Sequence, residues 1–192
     1  MRDAWFADQR ELERALDAFA PRGDVLELAA GTGLWTRHLV RHADALTVVD
    51  ASPEVLELNR QRVADPRIEY VVADLFAWEP PRAYDACCFG FWLSHVPESR
   101  FESFWATVAD ALEPRGRVFL VDGAGQHAAH TSRQTSEERA VRTLADSREF
   151  EIVKRFWAPD ELAARLAELG WRLDLRLSAN GHFLYGDGAR SR

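Results

Sequence analysis

Val25-Leu26-Glu27-Leu28-Ala29-Ala30-Gly31-Thr32-Gly33 is a short apolar run that stops on a glycine-bearing turn. A second apolar run, Leu46-Thr47-Val48-Val49, stops on Asp50, and the stretch between the two, Leu34 to His42, has the character of a helix. Strand, glycine turn, crossover helix and strand make a βαβ unit, whose strands lie parallel and whose ligand sits beyond their carboxyl ends. The turn lets a ligand approach the backbone closely and puts it beside the positive end of the helix. An acidic residue about 20 positions further on, at the end of the next strand, is placed to accept hydrogen bonds from ribose hydroxyls. The expected ligand is a cofactor that contains a nucleoside.

The glycines narrow that choice. A dinucleotide fingerprint wants Gly-x-Gly-x-x-Gly so that a pyrophosphate can rest on the helix N-terminus. Here the turn continues Gly31-Thr32-Gly33-Leu34-Trp35-Thr36, with threonine where the third glycine would stand. Glu27 makes the approach to the loop negative, which repels a pyrophosphate and suits a ligand carrying ammonium and sulfonium charges.

Outward from this unit the pattern keeps alternating between short β-rich runs and helical periods, the signature of an α/β domain with a largely parallel sheet. On the N-terminal side, Leu12, Ala15, Leu16 and Phe19 give an amphipathic helix over about Asp8 to Phe19, preceded by Trp5 and Phe6 and stopped by Pro21-Arg22-Gly23. On the C-terminal side, Ser52 can cap a helix that opens with Pro53 and Glu54. Strands follow at Ile68 to Val72, ending on Ala73-Asp74, and at Tyr84 to Phe89. Phe101, Phe104, Trp105, Val108 and Leu112 then repeat at helical spacing before the turn signal Pro114-Arg115-Gly116 and a fifth strand, Val118 to Asp122. Residues 123–148 turn polar and read as a surface insertion. A helix opens at Pro159 and stops at Gly170, and Trp171 to Leu177 and Phe183 to Tyr185 form a last pair of strands joined through Asn180-Gly181.

Composition sets the outer limits. The chain has 192 residues, one domain's worth, with 24 basic against 31 acidic side chains and a net charge of −7. That balance argues against nucleic acid or an anionic membrane as the main partner. No apolar run reaches the roughly 18 residues of a membrane span and no signal peptide is evident, so a cytoplasmic protein is expected. Cys87 and Cys88 adjoin each other in an apolar run and read as two small buried thiols. His127 and His130 read as a solvated pair, and no metal site is expected.

Five segments, taken in order, resemble the motifs of the class I S-adenosylmethionine-dependent methyltransferases of the small-molecule type. They are Val25 to Gly33, Val48-Val49-Asp50-Ala51-Ser52-Pro53, Val72-Ala73-Asp74-Leu75, Tyr84 to Phe89 with Gly90-Phe91-Trp92-Leu93-Ser94-His95, and the Asn180-Gly181 hairpin. The resemblance covers about Val25 to Tyr185. It implies a Rossmann-like three-layer sandwich: a seven-stranded, mostly parallel sheet with a reversed C-terminal strand and helices on both faces. It also implies that Gly31 and Gly33 lie under the methionine portion and ribose of S-adenosyl-L-methionine, and that Asp50 binds the ribose hydroxyls. Asp74 would meet the adenine amine, with Leu75 offering its backbone and Ala51 and Ser52 flanking the base. Glu27, Ala29 and the backbone around Phe89 and Gly90 would surround the amino and carboxylate groups. Ala29 replaces the family's first glycine.

The acceptor is expected to be a small, partly apolar molecule methylated on oxygen, nitrogen or carbon. His95 follows the fourth strand where the family presents its acceptor, and its titration near neutral pH makes it the candidate base or positioning group. Trp5, Phe6, Trp35, Phe91, Trp92, Phe156 and Trp157 fall in regions that border the catalytic face in this family, so an aromatic acceptor cavity is expected. The 123–148 insertion is expected over that cavity, with Arg133, Arg139 and Arg142 either on a solvated helix face or as a seat for a carboxylate or phosphate. The chain would work as a monomer or homodimer. The alternative is a non-catalytic S-adenosylmethionine-binding regulatory or scaffolding protein, while a nicotinamide dehydrogenase is disfavoured by the glycine spacing and the lack of a Tyr-x-x-x-Lys pair.

Overall fold

A computed structural model describes residues 2–125, 132–144 and 146–191. Helix α1 (Arg2–Phe19) leads into β1 (Asp24–Leu28), α2 (Thr36–Leu39), β2 (Ala45–Asp50), α3 (Pro53–Val63), β3 (Ile68–Val72) and β4 (Tyr84–Gly90). A 3₁₀ turn (Leu93–His95), α4 (Glu98–Asp110) and β5 (Leu112–Gly123) follow. Then come β6 (Ser132–Gln134), β7 (Arg139–Thr143), β8 (Glu149–Val153), α5 (Pro159–Glu168), β9 (Trp171–Leu177) and β10 (Phe183–Arg190).

The main sheet has seven strands in the order β3-β2-β1-β4-β5-β10-β9. Neighbours from β3 to β5 pair in parallel, whereas β10 runs antiparallel to both β5 and β9, which is the expected reversed strand. Strand order reverses about β1 and β4, so the crevice at their carboxyl ends is the topological switch point where ligands bind in open α/β sheets. Both faces are covered. Leu26, Leu28, Cys87, Phe89 and Leu120 pack with Phe101, Phe104 and Trp105 of α4 and Leu162 and Leu166 of α5. Val25, Val48, Cys88, Phe119 and Val121 pack with Leu12, Leu16 and Phe19 of α1 and Leu56 of α3. Because successive strand residues face opposite ways, Cys87 joins one core and Cys88 the other, and both are free and buried.

Several boundaries differ from the sequence reading. Helix α1 begins at Arg2, with Asp3 in its first turn, so Trp5 and Phe6 are helical residues rather than a preceding segment. Helix α2 is one turn, Thr36–Leu39, in place of the expected Leu34 to His42, so little helix field reaches the glycine turn. Pro114-Arg115-Gly116 lies within β5, where pairing with β4 jumps from Tyr84–Leu112 to Ala86–Arg117 and the residues between bulge out. Ser52 does cap α3, accepting from Val55 N at 3.2 Å.

The polar insertion is more ordered than its composition suggests. Strands β6, β7 and β8 form a separate antiparallel sheet, so Arg133, Arg139 and Arg142 stand on strands and not on a helix face. His127 and His130 lie outside the described residues. Among the described residues no helix is long and apolar enough to cross a membrane, and no group of three or more potential ligands is placed to hold a metal ion.

Candidate functional site

The glycine turn leaves β1 through Ala29, whose φ of 51° lies in the left-handed region that glycine occupies freely. Alanine there costs about 1 kcal/mol, which explains why a glycine is the easier residue at this position. Gly33, at φ 87°, leaves no space for a side chain, since a Cβ would come 2.8 Å from Asn59 Oδ1. The turn is tied to β2 by two bonds. Ala30 N donates to Val49 O at 3.2 Å, and Gly31 N donates to Asp50 Oδ2 at 2.9 Å. The other carboxylate oxygen, Asp50 Oδ1, accepts from Ser52 N at 3.0 Å. Asp50 thus joins the glycine turn to the start of α3, with Ala51 exposed beside it.

Asp74 follows β3 and accepts from Phe76 N at 3.0 Å, while Leu75 is buried under it. At the end of β4, Phe89 packs edge-on against Phe104 and Trp105. The edge of the Trp35 indole fills the place where a side chain on Gly90 would go. Trp35 Nε1 is buried there without a hydrogen-bond partner among the described residues, so it is an unused donor at the switch point.

Glu27 lies beneath the turn, fully buried, with Thr36 Oγ1 donating to its Oε2 at 2.6 Å. Burial pushes its carboxyl up to about 8, and the nearby Asp50 charge adds to the rise against the pull of the Thr36 bond. A buried carboxyl group with no cation acting on it among the described residues favours a positively charged ligand group.

A second polar cluster joins β4, β5 and β8. Asp122, at the end of β5, accepts from Ser94 N and Ser94 Oγ at 2.8 Å each. Lys154 Nζ donates to Ser94 Oγ at 2.6 Å and lies 3.8 Å from Asp122 Oδ1. His95 Nδ1 is 2.8 Å from Val153 O. A carbonyl only accepts, so Nδ1 carries the hydrogen and Nε2 keeps its lone pair. Burial, then the Lys154 charge, holds this imidazole below its ordinary value, and Arg142 acts in the same direction. Burial likewise lowers Lys154, with Asp122 opposing.

The seven aromatic candidates divide. Trp5 packs against Phe6 (5.2 Å between centroids) and Phe183 (5.7 Å), Phe183 against Phe91 (5.9 Å) and Phe91 against Trp35 (6.5 Å). These make one row from α1 to the glycine turn, with Trp5 and Phe6 still 41% and 40% exposed. Trp92 sits on the other side of the sheet against Phe76 and Phe104. Phe156 lies beside Gly123 and Gly125, beyond the end of β5. Trp157 departs from expectation, since it is 5% exposed and packs in the core on Phe101 at 5.1 Å, under the Arg155 guanidinium.

Sequence reasoning missed Asp122, Ser94, Lys154, Asn59 and Phe183. One signal was available: Lys154 is the sole lysine in a chain otherwise supplied with arginine.

Comparison with known proteins agrees with this geometry. The profile of a family described as "Methyltransferase domain" matches residues 25–116. The solved DhpI–SAM–HEP complex is 40% identical, covers 95% of this chain and 86% of its own, and superposes with a TM-score of 0.82. The ubiquinone biosynthesis O-methyltransferase of Xylella fastidiosa (strain 9a5c) is 30% identical over 159 residues, 78% of this chain, which spans only 61% of that relative's length. The glycopeptide N-methyltransferase MtfA, solved with S-adenosyl-L-methionine, shares the fold at 22% identity and a TM-score of 0.72, over 93% of this chain and 92% of its own. On the match to the solved complex at 40% identity, over 95% of this chain and 86% of that one, the chain belongs to the class I S-adenosylmethionine-dependent methyltransferases.

Proposed function

We propose that this chain is an S-adenosylmethionine-dependent methyltransferase whose acceptor is a small molecule bearing an anionic group and an oxygen nucleophile. The residues present suit the cofactor. Glu27 offers a buried acidic partner for an ammonium, Trp35 Nε1 an unused donor, Gly31 has open space where a side chain would stand, and Asp50 stands at the strand end. In this reading Asp50 accepts from the ribose hydroxyls, Asp74 and Leu75 take the adenine edge, and Ala51 and Ser52 flank the base. The backbone at Ala29, Gly31, Phe89 and Gly90 lines the amino-acid end. When bound, the cofactor supplies an electrophilic methyl group on a sulfonium.

The chain's own contribution is alignment and charge placement. His95 Nε2 faces the acceptor as a hydrogen-bond acceptor and takes the proton from a hydroxyl nucleophile. Its neutral form is favoured by burial and by Lys154. Lys154 and Arg142, brought together by the inserted sheet, pair with the anionic group, while Trp5, Phe6, Phe91, Phe183 and Phe156 exclude water from the apolar part. The observation that carries this reading is the half-buried Lys154 held between Ser94 and Asp122, one residue from the carbonyl that orients His95. Oxygen is favoured over nitrogen and carbon by the O-methyltransferases among the relatives. Release of S-adenosylhomocysteine across a panel of hydroxylated small molecules, each tested with and without its acidic group, tests it. Turnover confined to the acidic members is expected, and a preference for neutral or cationic ones would refute it.

A further inference from the structure

Asn59 of α3 is fully buried and touches both sides of the glycine turn. Its Nδ2 lies 3.2 Å from Gly31 O and 2.8 Å from Thr36 Oγ1. The Gly31 carbonyl only accepts, so the amide nitrogen must be on that side, and the same nitrogen donates to Thr36. The single hydroxyl hydrogen of Thr36 is then left for Glu27 Oε2, at 2.6 Å. On its other side, Asn59 Oδ1 accepts from Tyr70 OH at 3.4 Å. The direction of every bond in the chain Asn59–Thr36–Glu27 is therefore set, and it ends on Glu27 as an acceptor.

We propose that Asn59 is a positioning residue for cofactor capture, holding the glycine turn through Gly31 and, through Thr36, keeping Glu27 ready to surrender its proton when a cationic amino-acid group binds. The inference rests on the S-adenosylmethionine reading. The surroundings of Glu27 contain the Asp50 carboxyl from β2, the Tyr70 phenol from β3, the Cys88 thiol from β4 and the Thr36 hydroxyl from α2, and Leu16 of α1 lines the same space. None of these is a cation. Burial leaves Glu27 protonated at neutral pH in the free protein. An ammonium arriving beside it favours the carboxylate, so the proton leaves to solvent as the charge pair forms.

The test is calorimetric titration of the whole chain with S-adenosylhomocysteine, which carries the ammonium without the sulfonium, in two buffers of different ionisation enthalpy. At neutral pH about one proton should be released per molecule bound. Affinity should rise with pH until Glu27 is ionised in the free protein. Glu27→Gln should abolish the release. Asn59→Leu should weaken binding about tenfold and move the pH midpoint upward. Thr36→Val spares the Asn59–Gly31 bond and should move the midpoint alone, with Thr36→Ser restoring it, so the proposal stays testable if the Asn59 variant does not fold. Binding without proton release, or an unmoved midpoint in Thr36→Val, overturns the inference and leaves the cofactor reading standing. Failure of S-adenosylhomocysteine to bind at any pH removes both.

Discussion

Asp50 Oδ2 accepts a hydrogen bond from Gly31 N at 2.9 Å, so the carboxylate that closes β2 also holds the glycine turn that closes β1. Its second oxygen accepts from Ser52 N, at the cap of α3. One side chain therefore preorganises the turn, and in the proposed reading it also accepts from the ribose hydroxyls. Asp50→Ala should weaken S-adenosylmethionine by about ten- to a hundredfold, or roughly 1.5 to 3 kcal/mol for a lost charge-assisted contact. Asp50→Asn keeps one acceptor oxygen and should lose less, as equilibrium titration of the two variants would show.

At the acceptor end, His95→Gln should lower kcat with little change in cofactor affinity. The imidazole sits below its ordinary value of 6.5, chiefly through burial. The wild-type rate should therefore stay level above that pH and fall only on the acid side, while the residual rate of the glutamine variant should lose this limb. A pH–rate profile of both proteins decides the matter, and identical profiles would leave His95 structural.

Lys154→Met removes the charge while filling most of the volume. It should raise KM for an anionic acceptor about tenfold, as expected for a half-buried charge-assisted contact, and leave cofactor binding unchanged. Arg142→Gln should have a smaller effect, more sensitive to salt, because the group is exposed. Steady-state kinetics at two ionic strengths separates the two contributions.

Stability should also report on Glu27. Its carboxyl is raised in the folded protein to about 8 from 4.5, so between these values the folded state binds the proton more tightly than the unfolded chain. The contribution is full below the unfolded value and is lost as pH rises through the folded one. The ligand-free protein should melt lower as pH approaches 8, and Glu27→Gln should flatten that fall. Thermal melts of both proteins across this range provide the check.

Asp8 supplies a structural counterpart. Fully buried on α1, it accepts from Ser178 Oγ at 2.7 Å, from Asn180 N at 3.0 Å and Nδ2 at 2.7 Å, and pairs with His182 Nδ1 at 2.7 Å. It therefore fastens the helix that carries Trp5 and Phe6 to the β9–β10 hairpin. Asp8→Ala should cost about 3 kcal/mol by leaving these donors unmatched, measurable by denaturant unfolding.

The parts of this account legible in the sequence are those with strong local periodicity or a fixed spacing. β3 starts and ends where its apolar run does, Ser52 caps α3, and Asn180-Gly181 turns the hairpin with Gly181 at φ 75°. The small sheet was hidden because its strands are short and polar, with Ala140 as its one fully buried hydrophobic position among the described residues. Lys154, Ser94 and Asp122 meet across separations of 60 and 28 residues, which no local pattern encodes. Trp157 was misassigned for a related reason. Its neighbour Phe156 does reach the end of β5, but both lie in the irregular stretch 154–158, where no periodicity marks which side chain faces inward, and Trp157 turns into the core.

The central claim is the identity of the cofactor, and its most direct measurement is a calorimetric titration of the whole chain with S-adenosylmethionine against nicotinamide dinucleotides. Saturable binding of S-adenosylmethionine at one site per chain, weakened in Asp50→Ala, with no heat from the dinucleotides, is the predicted result. Binding of a dinucleotide in its place, or an affinity for S-adenosylmethionine indifferent to Asp50, would contradict it.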